Sequence, residues 1–190
     1  MEISDEGLVE RVKRGDARAF EILIDRHKRM VFNVAYRILG NRDDAEDAAQ
    51  ESFVRCYKSI SSFRGGSKFT TWLYSIVSNV CLSEVGKSRW RQEFVELNQQ
   101  AEAVFPELSE GTEPPEDIAI REDFREKVRE LVRSLPPQYR AVITLYHFKG
   151  FTYKELSEIL DLPVGTIKTH LYRARELLRK AVLERFEGGI

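Results

Sequence analysis

No stretch of this chain approaches the roughly 20 consecutive apolar residues that a helix needs to cross a bilayer, and no signal peptide opens it. The expectation is a cytoplasmic protein that does not insert into a membrane. Cysteine is scarce, with Cys56 and Cys81 the only two. Both lie inside helical patterns without metal-ligand spacing, so they read as buried thiols in a reducing compartment. Histidine is limited to three copies, and none is spaced to join a second His or Cys at a metal. Strand-type alternation is missing too. No residue set provides a nucleophile with its base, a metal site or a phosphate loop, so the expectation excludes catalysis, a resident metal and a cofactor.

What fills the chain instead is charged, helix-forming sequence. Of 190 residues, 42% are hydrophobic and 32% charged, the balance of a soluble chain with one large or two small cores. The net charge is only −1, but it is unevenly spread. Residues 1–90 hold 15 Lys/Arg against 13 Asp/Glu, residues 91–120 hold Arg91 against eight acids, and residues 121–190 hold 14 against 10. Two mildly basic ends, net +2 and +4, therefore flank an acidic strip of net −7. For a chain that meets nucleic acid, that distribution matters more than the sum.

Local signals divide the first part into four helices. Ser4 starts the first, with Leu8, Val9 and Val12 on one side and Gly15 as its stop. Asp16 caps a second in which Phe20, Leu23, Ile24, His27, Met30, Val31, Val34, Ile38 and Leu39 keep a three/four rhythm up to Gly40. His27 reads as a satisfied core or boundary imidazole. Asn41 caps the third, whose first turn holds Asp43 and Asp44 at the positive end of the dipole. Its buried side is expected to be Ala45, Ala48, Ala49, Phe53, Tyr57 and Ile60; Glu46, Asp47, Gln50, Glu51 and Arg55 face out. A loop follows at residues 61–67, broken by Gly65-Gly66, in which Phe63 has no periodic partner. The fourth helix runs from Thr70 to about Gly86 with Phe69, Leu73, Ile76, Val77 and Val80 inward. Thr71, Trp72, Tyr74, Ser75, Ser78 and Asn79 are left near or on its outer side, followed by Lys87, Arg89, Trp90 and Arg91. Aromatics, small polar groups and cations together suit unpaired bases; packing at the core edge is the plainer reading of Trp72 and Tyr74.

Residues 92–119 lose periodicity, and Pro106, Gly111, Pro114 and Pro115 punctuate them, so they read as a flexible acidic linker. Ile120, Phe124, Val128, Leu131 and Leu135 mark another helix, closed by Pro136-Pro137. Tyr139, Val142, Ile143, Tyr146 and Phe148 mark the next, which ends at Gly150. A helix-turn-helix over 152–180 completes the chain. Thr152 and Glu155 form a capping box, Asp161-Leu162 make the turn, and Pro163 suits the first position of the second helix. Val164, Ile167, Leu171, Ala174 and Leu178 give that helix a buried stripe. Its opposite face carries Lys168, Thr169, Tyr172 and Arg173, then Arg175 and Lys180, the donors and apolar atoms that a major-groove reader needs. The fold class expected is therefore all-α: a helical bundle over 1–91, the linker over 92–119, and a four-helix domain over 120–190.

Four blocks, DAEDAAQESFVRCYKSI, SFRGGSKFTTWLYSIVSN, SLPPQYRAVITL and YKELSEILDLPVGTIKTHLYRARELLR, resemble in order and spacing the extracytoplasmic-function sigma factors, the compact two-domain members of the bacterial sigma-70 family. The resemblance covers residues 5–90 and 120–183. It implies a protein that joins core RNA polymerase and directs it to promoters, with the −10 domain first and the −35 domain last. It places Asp44, Asp47, Gln50, Glu51 and Phe53 on the surface that docks the coiled coil of the polymerase clamp. Phe63, Arg64 and Lys68 fall on the segment that captures a base flipped from the −10 element, and Asn79 on a position lining the same pocket. Lys168, Thr169, Tyr172 and Arg173 fall on the positions facing the −35 element. Tyr146 and His170 stand where several relatives carry arginine, which implies fewer phosphate contacts. The implied partners are core polymerase through its clamp and flap, promoter DNA, and a cognate anti-sigma factor that responds to stress; the free factor is implied to be a monomer.

Two other classes remain open at the level of sequence. A stand-alone regulator using only the helix-turn-helix would bind duplex DNA tightly and dimerise over two half-sites. An adaptor or anti-sigma protein would need neither the Phe63 loop nor the basic recognition face.

Overall fold

The computed structural model describes residues 3–84 and 127–187, and every regular element among them is helical. Helix α1 (Asp5–Lys13) starts where the Ser4 hydroxyl accepts the Gly7 amide at 3.2 Å. Helix α2 (Ala17–Leu39) starts where Asp16 accepts the Ala19 amide at 3.2 Å, and it stops at Gly40, whose φ of 87° only glycine takes without strain. Helix α3 (Arg42–Ser59) follows at once, with Asn41 accepting the Asp44 amide at 2.8 Å. A 3-10 turn (Ile60–Ser62) and a loop lead to α4 (Phe69–Glu84). These four helices close around Leu8, Leu23, Val31, Ile38, Leu73 and Val77, all almost fully buried. Each such side chain contributes roughly 1.5–3 kcal/mol on leaving water.

The inward face of α3 differs from the sequence expectation. Ala45, Ala48, Ser52 and Cys56 are its buried residues, while Tyr57 is 53% exposed and Ala49 and Phe53 are only half-buried. Small side chains let α3 lie close against its neighbours. The polar member, Ser52, is satisfied within its own helix by donating to the Ala48 carbonyl at 2.6 Å. On α4, Ser78 is likewise buried rather than on the outer side.

The second lobe begins, among the described residues, with a helix covering 127–134, here α5. Helix α6 (Pro137–Ile143) follows the proline pair and widens into a π-helical turn (Thr144–Phe148) instead of running on regularly to Gly150. Helices α7 (Tyr153–Leu160) and α8 (Val164–Glu187) form the helix-turn-helix. The expected linker, Ile120, Phe124 and the segment 87–91 lie outside the described residues.

The lobes pack directly on each other, and their buried apolar residues form one cluster. Arg140 of α6 is only 8% exposed, donates Nη1 to the Arg133 carbonyl at 3.0 Å, and rests on Gly40 at the end of α2. A Cβ at position 40 would stand 2.6 Å from that Nη1, so any side chain there would force the buried Arg140 guanidinium to shift. Further along, Tyr74 of α4 meets Phe151 edge to face at 4.9 Å, and Lys149 lies 5.9 Å over the Tyr74 ring. Burial raises the Tyr74 hydroxyl pKa and lowers that of the Lys149 ammonium, the latter also through nearby Arg37.

Candidate nucleic-acid interface

Three surfaces carry the residues singled out in the sequence. The first is the outward face of α8. The capping box sets its partner helix: the Thr152 hydroxyl accepts the Glu155 amide at 3.3 Å, and Glu155 in return accepts the Thr152 amide at 2.8 Å. The Thr152 amide, and the Thr152 hydroxyl donating to the same carboxylate at 2.8 Å, hold the Glu155 carboxyl below its ordinary pKa. Asp161 then takes a left-handed backbone (φ 53°), and the chain turns back into α8. Lys168 and Tyr172 are exposed and Thr169 and Arg173 half-exposed, so all four expected residues share one solvent-facing side. The Thr169 hydroxyl donates to the Gly165 carbonyl at 2.9 Å, and Lys168 lies 5.7 Å from the Tyr153 ring of α7.

Beneath that face Ile167, Leu171 and Ala174 are buried as expected, but Val164 is exposed and His170 takes an inner position at 6% exposure. The His170 ring packs edge-on against Tyr139 at 5.5 Å. Burial, reinforced by the Arg173 charge, pushes its pKa down to about 4. His170 is thus a neutral core residue, and the phosphate role implied for an arginine at this place has no counterpart in its side chain. Periodicity would have placed it there, since it stands three residues after Ile167 and four before Ala174.

The second surface is the Phe63 loop with α4. Phe63 does have packing partners: it is 7% exposed, with its ring 5.0 Å from Trp72 and 6.1 Å, edge-on, from Phe69. Lys13 of α1 donates Nζ to the Phe63 carbonyl at 2.8 Å and ties the loop down, a contact across 50 residues that no local pattern announces. Arg64 and Lys68 are exposed around this cluster. Asn79 lies two turns along α4, about 10 Å from Trp72 by helix rise, on the stripe Trp72–Ser75–Asn79, and donates to the Ser75 hydroxyl at 3.3 Å. Phe63, Arg64 and Lys68 therefore share one end of this surface, and Asn79 stands at the other.

The third surface is α3. Asp44, Asp47 and Glu51 form a stripe at spacings of three and four, and Gln50 lies beside it; Asp44, Asp47 and Gln50 are exposed. Glu51 pairs with Arg55 Nε at 2.6 Å. Half-buried Phe53 belongs to a neighbouring apolar groove with Phe20, Ile24 and Val54. The described residues contain no cluster of His, Cys, Asp or Glu able to hold a metal, and no helix long and apolar enough to cross a membrane.

Comparison with known proteins bears on the whole arrangement. The profile of sigma-70 region 2 matches residues 23–91, and that of sigma-70 region 4 matches residues 125–178. The ECF RNA polymerase sigma factor SigW of Bacillus subtilis is 34% identical over 182 residues, covering 95% of this chain and 97% of the relative. The RNA polymerase sigma-H factor of Pseudomonas aeruginosa is 32% identical over 180 residues, covering 94% and 93%. The ECF RNA polymerase sigma-E factor of Escherichia coli is 33% identical over 187 residues, covering 95% of each. Two solved structures share the fold. One is CnrH in complex with the cytosolic domain of CnrY, with a TM-score of 0.60, 22% identity and coverage of 97% of this chain and 99% of that one. The other is the sigma factor RpoE in complex with the anti-sigma factor NepR from Bartonella quintana, with a TM-score of 0.58, 20% identity and coverage of 87% and 98%. With both halves matched in order and 32–34% identity over nearly the full length of several relatives, the chain belongs to the extracytoplasmic-function sigma factors of the sigma-70 family.

Proposed function

We propose that this sigma factor divides promoter reading between its lobes: α8 reads paired −35 DNA, and the Phe63 loop with α4 holds the opened −10 strand. Lys168, Thr169, Tyr172 and Arg173 make the −35 contacts. At the −10 element, exposed Arg64 and Lys68 attract the backbone and Asn79 reads a base edge. Buried Phe63 serves as the aromatic floor of the cluster on which a flipped base settles. Without ATP hydrolysis, the few kcal/mol needed to unstack each base step come from such new contacts. Asp44, Asp47, Gln50, Glu51 and Phe53 dock the polymerase clamp, and exposed Leu177, Val182 and Leu183 late in α8 suit an apolar contact with the flap. The units are 1–91, 92–119 and 120–190, and the free factor is a cytoplasmic monomer held by an anti-sigma factor until released by stress.

The observation that carries this reading is the single solvent face of α8, with two cations, a hydroxyl and an aromatic above a buried stripe. The packing of Tyr74 against Phe151 adds a reason for core polymerase: the −10 helix is partly covered by the other lobe, so the free chain presents a poor DNA surface. The test is size-exclusion chromatography of the chain with core polymerase, and fluorescence anisotropy on a promoter duplex with and without it. Co-elution, with tight DNA binding only in the complex, is expected. Tight binding by a free dimer would instead support a stand-alone regulator.

A further inference from the structure

Helix α1 carries none of the residues assigned to promoter or polymerase, yet its last turn reaches the loop assigned to the −10 strand. Lys13 ends α1, where the helix dipole favours a cation. Its Nζ donates to the Phe63 carbonyl at 2.8 Å and to Glu10 Oε1 at 2.9 Å. The Phe63 amide donates in turn to the Ile60 carbonyl at 3.2 Å. Both backbone polar groups of Phe63 are therefore held, one by the preceding 3-10 turn and one from a helix 50 residues earlier. We infer that Lys13 is a positioning residue for −10 strand capture: it fixes the backbone at Phe63, and so the place of the ring and of the open loop that follows. The inference rests on the reading of that loop as the −10 contact.

The loop has little packing of its own. Five residues, Arg64 to Lys68, separate Phe63 from Phe69 at the start of α4, and all five are exposed. Gly65 takes a φ of 72°, and a Cβ at Gly65 or Gly66 would meet nothing within 4 Å. The path of such a segment is set by where its two ends are fixed. Lys13 fixes the first end. At the second, Phe69 is 1% exposed and its ring lies 5.6 Å from that of His27. Asp5, in the first turn of α1, places Oδ2 2.8 Å from His27 Nε2 and accepts Arg26 Nη1 at 2.7 Å. Between Asp5 and Lys13 the buried Leu8, Val9 and Val12 seat α1 on the core. Helix α1 is thus a strut with one end at each root of the loop. The same Nζ is poorly placed to grip a phosphate itself. The Lys13 side chain is 24% exposed, and the Glu10 carboxylate already compensates its charge at 2.9 Å. A loop fixed before the strand arrives loses less conformational freedom on binding, which is the gain expected from preorganisation.

The experiment compares wild type, Lys13→Met, Lys13→Arg and Phe63→Leu in reconstituted holoenzyme, below the unfolding transition of each. Fluorescence anisotropy reads the binding of a single-stranded −10 oligonucleotide and, separately, of a −35 duplex. Lys13→Met keeps the aliphatic stem but loses the donor, and its −10 affinity should fall by ~10-fold, with −35 affinity and core binding unchanged. Lys13→Arg retains a donor and should recover most of the loss. Amide exchange across residues 60–68 should quicken in Lys13→Met, reporting the loosened backbone. Salt dependence separates positioning from contact. The slope of log affinity on log salt should match wild type in Lys13→Met; a slope shallower by about 0.7 would mean a phosphate contact and overturn the positioning role. Wild-type −10 affinity in Lys13→Met overturns it as well. The loop reading survives that result if Phe63→Leu is impaired, and falls with it if Phe63→Leu is not. Equal losses on the −10 strand and the −35 duplex would show a general disturbance of the fold, and likewise overturn it.

Discussion

Three side chains behave in ways that measurement can separate. His170, buried beside Tyr139, has its pKa pushed down to about 4 from an ordinary 6.5. The unfolded chain therefore takes up a proton near pH 6.5 that the folded chain refuses, and the contribution is full above that pH and lost as pH falls toward 4. Thermal unfolding at pH 7.5 and pH 4.5 should differ by on the order of 2–3 kcal/mol from this residue, and His170→Gln should shrink the difference; an unchanged pH profile in the variant contradicts its burial. Arg173→Ala, on the open face of α8, should leave folding alone and weaken −35 duplex binding by the holoenzyme by about 1–3 kcal/mol, read by anisotropy. Phe63→Ala does two things at once. It removes a buried ring from the Trp72–Phe69 cluster at a cost of about 3–5 kcal/mol, seen in denaturant melts, and it removes the floor proposed for the flipped base. A melt indistinguishable from wild type would show that the ring does not pack as described.

At the level of elements, what could be read in advance was whatever a few neighbouring residues decide. Ser4, Asp16 and Asn41 all cap the helices they announce, and the Thr152–Glu155 box is made from both sides. Thr152→Ala should therefore cost about 1 kcal/mol in thermal melts, and a neutral substitution would mean that the box is redundant. The inward face of α3 was harder. Tyr57 has the hydrophobicity of a core residue and Ser52 does not, but a helix wedged against α2 and α4 favours small side chains over large ones. The widening of α6 into a π-helical turn carries no sequence mark either, though it brings Phe148 to Arg37 and Tyr146 into a stack with Tyr153 at 5.2 Å. The exposed side of α8, with Lys168, Thr169, Tyr172 and Arg173, was legible because amphipathic spacing on one helix needs no partner to interpret it, though Val164 fell outside the buried stripe. The Phe63 loop was not, because its packing depends on Lys13, 50 residues earlier, and on Trp72, whose ring comes from the helix after the loop.

At the scale of the whole molecule, the described parts of the two lobes pack against each other. Gly40, Arg140, Tyr74 and Phe151 join the lobes, and one of the helices assigned to the −10 strand lies partly beneath the other lobe. Gly40→Val adds a branched side chain where Arg140 leaves no room and φ is 87°. It should loosen the lobes and enlarge the particle seen by small-angle scattering; an unaltered scattering curve would show that the junction absorbs the change. In the proposed mechanism, α8 on the duplex and α4 on the opened strand act together once core polymerase has separated them. Permanganate reactivity of −10 thymines tests this most directly, in reconstituted holoenzyme on a promoter with an intact or a scrambled −35 element. Strong reactivity is expected on the intact promoter, with most of it lost on the scrambled one and none with core polymerase alone. Equal opening of both templates, or opening without this chain, would contradict it.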